Sequence, residues 1–193
     1  MRRFDDAALA RLRAIAAARP AIEIDAPQFR RAAVLIPLVR GGDGDWSLVF
    51  TQRSDKLAAH AGQIAFPGGA VESGETLEAA VVREAEEEVG IPPRTVELIG
   101  RLDDVITNSG FLVAPFAAVV HDRVEYVLQQ SEVVEVFEVP IEALLEERNP
   151  EVRYVPFRTR HYPAYFYHYG RYEIWGLTGR MLKAFLDLVW LAL

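Results

Sequence analysis

The segment 75–89, ETLEAAVVREAEEEV, constrains this chain more than any other: it is built largely from alanine, valine and glutamate and holds no glycine or proline. That composition predicts a helix, closed by Pro92 and Pro93. At about 100° per residue, Glu88 lies about 40° to one side of Glu84 and Glu87 about 60° to the other. Three carboxylates therefore share one arc. Val81, Ala85 and Val89 take a neighbouring arc suited to a core, and Glu86 falls on the far side. Like charges at this spacing destabilise a helix by about a few tenths of a kcal/mol, and near its C-terminus they also oppose the dipole. Alone, such a patch is more often a solvated face than a site. If it is a site, hard oxygen ligands suit Mg²⁺ or Mn²⁺ better than zinc.

The remaining pattern predicts one mixed α/β domain over 1–193, with helices against a largely β core. An alanine-rich helix is expected over about 5–18 and an apolar helix over about 177–190, with Leu182, Phe185, Leu186 and Val189 on one face. Strands are expected at 32–39, 46–51, 64–66, 96–99, 112–120 and 132–137, with a short helix at 141–145. A hairpin is expected over 165–174, turning near Gly170, with Tyr165, Phe166, Tyr167 and Trp175 as packing residues. The net charge of −7 argues against a general nucleic-acid partner. With no cysteine, thiolate ligands and a cysteine nucleophile are excluded. Neither an export leader nor a span long enough for a bilayer is evident, so a cytoplasmic protein with no membrane partner is expected.

Around the acidic helix the chain reads PGGAVESGETLEAAVVREAEEEVGI, residues 67–91. Gly69, Glu75, Arg83-Glu84, Glu87-Glu88, Gly90 and Ile91 stand at spacings that resemble the Nudix box at every fixed position. Ala85 replaces a larger aliphatic. The resemblance implies an α/β/α sandwich with a mixed sheet and a loop–helix–loop box over 69–91. It also implies a divalent metal, Mg²⁺ or Mn²⁺, held by Glu84, Glu87 and Glu88. Glu75, Arg83 and Gly90 take structural roles: Arg83 can clamp Glu75, Thr76 can cap the helix start, and Gly90 can form a left-handed C-cap. The general base is left among Glu132, Glu135 and a helix glutamate, with Glu132 preferred of the two distal ones.

Before the box, residues 48–69 read LVFTQRSDKLAAHAGQIAFPGG. The T-x-R-S and H-x-G-Q segments leading into F-P-G-G resemble the coenzyme A pyrophosphatase branch, as does the later I-W-G-x-T stretch at 174–178. That likeness implies hydrolysis of coenzyme A or a derivative to adenosine 3′,5′-bisphosphate and 4′-phosphopantetheine, while monomer and homodimer both stay open. It points to Arg53, Ser54, His60, Gln63, Gly68 and Gly69 as substrate contacts. A forked cation such as Arg53 suits a 3′-phosphate. His60 and Gln63 suit either a phosphate or the loop itself. The competing readings are a hydrolase of ADP-ribose or dinucleoside polyphosphates, and a ligand-binding regulator that has lost its chemistry. An isomerase relying on cysteine is excluded.

Overall fold

The computed structural model describes residues 3–41, 44–55, 62–146, 149–157 and 160–193. In chain order the elements are α1 (Asp6–Ala18), β1 (Arg30–Arg40), β2 (Trp46–Arg53), β3 (Ile64–Ala65), β4 (Gly68–Ala70) and α2 (Leu77–Val89). After one 3-10 turn follow β5 (Val96–Arg101), β6 (Val105–Ile106), β7 (Phe111–Val120), β8 (Val133–Pro140) and α3 (Ile141–Leu144). The chain ends with β9 (Glu151–Phe157), β10 (Arg160–Tyr169), β11 (Tyr172–Ile174) and α4 (Gly176–Ala192).

Strand β1 is apolar on both faces, and both faces are covered. Ala33, Leu35 and Val39 join Val81, Ala85 and Val89 of α2 in one core layer. Ala32, Ile36 and Leu38 join Leu12 of α1, Leu144 of α3 and Leu182, Phe185 and Leu186 of α4 in the other. The sheet is mixed: β1 runs parallel to β7 and antiparallel to β2, β5 pairs antiparallel with β7, and β8 with β2. Helices on both sides of it make the α/β sandwich expected. Each valine of α2 held in that layer is worth about 1.5–3 kcal/mol of apolar burial. The acidic patch is thus carried on a helix anchored by its other side.

Helix starts follow local chemistry. Asp5 accepts the Ala8 N–H at 2.8 Å and opens α1, and Thr76 accepts the Ala79 N–H at 3.1 Å and opens α2. The box helix therefore begins two residues later than the composition of 75–89 predicts, because Thr76 acts as its cap. Gly90, at φ 73°, ends it in the left-handed region. The strand expected at 132–137 runs over Val133–Pro140, since β8 keeps pairing with β2 as far as Pro140 against Ser47. The hairpin expected at 165–174 is the inner part of a three-stranded sheet in which β10 also pairs with β9. Among the described residues no helix is long and apolar enough to cross a membrane.

Candidate active site

The site is built where two strands part. Strands β1 and β2 pair at Leu38–Leu48 through Arg40–Trp46. Further along, β3 pairs with β2 at Thr51–Ala65, while β4 pairs with β1 at Ala33–Gly69. The chain between them crosses the fork at Phe66 and Pro67, where the Pro67 carbonyl accepts the Leu35 N–H at 2.8 Å. Phe66 stacks on Phe50 with ring centroids 4.6 Å apart.

Two glycines then thread between strand and helix. A Cβ on Gly68 would stand 2.4 Å from the Ala33 carbonyl oxygen, and a Cβ on Gly69 would stand 2.5 Å from the Glu84 carboxylate. The Gly68 clash is with backbone, so glycine is required there, whereas a side chain at Gly69 would push the Glu84 carboxylate aside. The Gly68 N–H donates to Glu88 at 3.0 Å. Loop and acidic helix are therefore locked through the carboxylates themselves.

Arg83 is the saturated cation of this assembly. It grips Glu75 with Nε at 2.9 Å and Nη2 at 3.1 Å, and donates from Nη1 to Glu84 and Glu87 at 2.9 Å each. Nη2 also donates to the Ala70 carbonyl at 3.2 Å. The bond from Arg83 holds the Glu75 carboxyl below the usual glutamate range.

The three helix glutamates are not equivalent. Glu88 is only 4% exposed, and burial pushes its pKa up to about 7. The charges of Glu84 and Glu132 push it the same way, while the Gly68 N–H and Arg53 oppose. Glu84 is also raised, chiefly by burial. The Glu87 side chain is 57% exposed. Among the described residues no three histidine, cysteine, aspartate or glutamate side chains converge as a ready-made metal centre. The donor chemistry nevertheless fits a hard divalent cation: a buried and a half-buried carboxylate that repel one another, offering only oxygen, are what such an ion would neutralise.

Two distal glutamates separate clearly. The Glu132 carboxylate lies close enough to Glu84 and Glu88 to raise both, and its carbonyl accepts the Ser54 N–H at 2.7 Å. Glu135 is engaged elsewhere. It receives Arg171 at 2.5 and 2.6 Å and the Tyr172 hydroxyl at 2.8 Å, so it is tied to the β10–β11 turn rather than to the box.

The segments before the box meet here as well. The Arg53 N–H donates to the Gln63 carbonyl at 3.0 Å, and the Gly62 N–H donates to the Arg53 carbonyl at 3.1 Å. Ser54 is buried. Arg53 Nη1 stands 4.0 Å from the Glu88 carboxylate. His60 lies outside the described residues. Sequence reasoning assigned no task to Thr51 or Thr178, although both stand in the quoted motifs. Their hydroxyls donate to the Ala65 and Ile64 carbonyls at 3.2 and 3.0 Å. Together they fix the short strand that leads into the two glycines. A hydroxyl standing inside each quoted motif, with no chemistry of its own, was the available signal.

This geometry agrees with the relatives. Residues 29–159 match the model of the NUDIX domain. The chain is 39% identical over 166 residues to a Citrobacter koseri protein named uncharacterized Nudix hydrolase NudL, covering 86% of this chain and 85% of that one. The Klebsiella pneumoniae protein of the same name is 40% identical over the same coverage. Among solved structures, the M. smegmatis Nudix hydrolase RenU superposes with a TM-score of 0.51 at 23% identity, covering 60% of this chain and 73% of that one. A C. elegans Ap4A hydrolase superposes with a TM-score of 0.51 at 20% identity, covering 59% and 83%. The last two likenesses concern the fold. The chain belongs to the Nudix hydrolase family.

Proposed function

We propose that this protein is a Mg²⁺- or Mn²⁺-dependent pyrophosphohydrolase that cleaves coenzyme A, or a derivative, to adenosine 3′,5′-bisphosphate and 4′-phosphopantetheine. One observation carries the reading. The T-x-R-S and G-Q ends pair with each other beside Glu88, and Thr178 of the I-W-G-x-T stretch bonds to the strand between them and the box. The segments that resemble the coenzyme A branch are thus bonded to one another around β3, with Arg53 at the edge of the acidic helix, and are not scattered over the surface.

Glu84 and Glu88 would hold the ion, with Glu87 joining from the exposed side. When bound, it neutralises phosphate oxygens and lowers the pKa of a coordinated water. The chain's own residues supply the rest. The Gly68–Gly69 backbone sets the carboxylates in place, and Arg83 fixes the loop against the helix. Glu132, beside the two buried carboxylates, accepts the proton of the attacking water. Water adds to one phosphorus, the bridging P–O bond breaks, and adenosine 3′,5′-bisphosphate and 4′-phosphopantetheine leave, each keeping one phosphate of the former diphosphate.

A broader preference for nucleoside diphosphate derivatives is the second reading, and the position of Arg53 against Glu88 favours it. To decide, purified protein is incubated with either metal and coenzyme A, dephospho-coenzyme A, ADP-ribose, NADH or diadenosine polyphosphates, and products are identified by mass. Best turnover of coenzyme A to the two named products supports the reading. Cleavage of another member with coenzyme A untouched removes it. Tight binding of coenzyme A without turnover would favour a regulator.

A further inference from the structure

We infer that Arg53 binds the scissile diphosphate itself, not a phosphate at the far end of the substrate; this rests on the hydrolase reading but not on coenzyme A as the substrate. The two arginines at the box make the case by contrast. Arg83 spends its donors on Glu75, Glu84, Glu87 and the Ala70 carbonyl, leaving little for a ligand. Arg53 does not. Among the described residues its buried Nε has no hydrogen-bond partner, and its Nη1 reaches only to 4.0 Å from Glu88, beyond hydrogen-bond range.

A guanidinium in this state is incompletely satisfied, and a buried donor without a partner is costly unless a ligand completes it. Its place is fixed rather than accidental. A register shift in β2 at Gln52/Arg53 turns the strand end, and the Arg53 N–H and carbonyl are both bonded to the segment at Gly62–Gln63. The planar fork is thereby held beside the carboxylate that would carry the ion. A diphosphate bound at the box would bring anionic oxygens to the unspent donors, in the bidentate geometry arginine favours. Contact to this shared group cannot distinguish coenzyme A from its dephospho form, so recognition of a 3′-phosphate must come from other residues.

The test compares wild type with Arg53→Ala and Arg53→Lys. Turnover of coenzyme A and dephospho-coenzyme A is measured, or of whichever panel substrate the wild type cleaves. Binding of the non-hydrolysable α,β-methylene-ADP with Mn²⁺ is titrated in parallel. Arg53→Ala is expected to lower kcat/KM about 100-fold for both coenzyme forms, within a factor of about two of each other, and to weaken α,β-methylene-ADP at least about 10-fold. Arg53→Lys should recover only part of each loss, because it restores the charge without the fork. A loss at least tenfold larger for coenzyme A than for its dephospho form would overturn the inference in favour of a 3′-phosphate contact. Unchanged α,β-methylene-ADP affinity in a folded Arg53→Ala protein would overturn it too. Failure of wild type to cleave coenzyme A, with the Arg53 effects intact on another diphosphate, would sink the substrate reading alone.

Discussion

Two groups of carboxylates in this molecule are treated in opposite ways. At the β10–β11 turn, Glu135 is met by Arg171 and the Tyr172 hydroxyl, and the Tyr172 ring lies 3.7 Å from that of Phe137. At the box, Glu88 is almost wholly buried beside Glu84 and near Glu132, with Arg53 out of bonding reach. The first arrangement satisfies its charge; the second stores an excess of it. A protein gains nothing in stability from buried, mutually repelling acids. The contrast therefore separates carboxylates that hold the fold from those we propose are kept for an ion.

The sharpest way to break this comparison is Glu88→Gln. Turnover should fall by about a thousandfold or more, because the charge is lost while the shape is kept, and circular dichroism should be unchanged. Near-normal turnover would mean that the ion is held elsewhere. Next comes Gly69→Ala, whose Cβ would collide with the Glu84 carboxylate. A loss of about a hundredfold in kcat is expected from displacing that group by a fraction of an ångström, and a loss under about threefold would show that the loop yields freely. The distal glutamates form a smaller pair. Glu132→Gln should lower kcat about tenfold or more, whereas Glu135→Gln should stay within about twofold. The reverse order would move the base to the β10–β11 turn.

The smallest effect is on stability, and its sign is diagnostic. Glu88 titrates from 4.5 when unfolded to about 7 when folded. The metal-free native state then holds a proton that the unfolded chain has released, so stability falls as pH rises from about 4.5 through about 7. The loss is on the order of 3 kcal/mol. Chemical denaturation with a chelator present should show this slope, and Glu88→Gln should flatten it. If stability instead rose with pH across that window, the carboxylate would be favourably paired, contrary to the account.

Much of this is legible in the sequence. Periodicity at 81, 85 and 89 placed the buried stripe of α2, and the motif spacing located the box, because both are local properties of a helix and a loop. What required the structure is long-range. That Gly69 makes room for a carboxylate fifteen residues away, and not for a turn, depends on how β4 lies on the helix. That Glu135 is committed to Arg171 depends on a hairpin thirty-six residues further on. The β9 strand was missed because Pro156 and its exposed residues carry a weak strand pattern. Arg53 was matched to a 3′-phosphate on chemistry alone, and only its distance from Glu88 redirects it.

Titration of Mn²⁺ into the protein, followed by the loss of the free-ion paramagnetic resonance signal, tests the central claim most directly. Wild type should bind at the box, and Glu84→Gln and Glu88→Gln should each weaken that binding about a hundredfold while Glu135→Gln leaves it unchanged. Equal binding in all four proteins would contradict the claim that these buried carboxylates are kept for a cation.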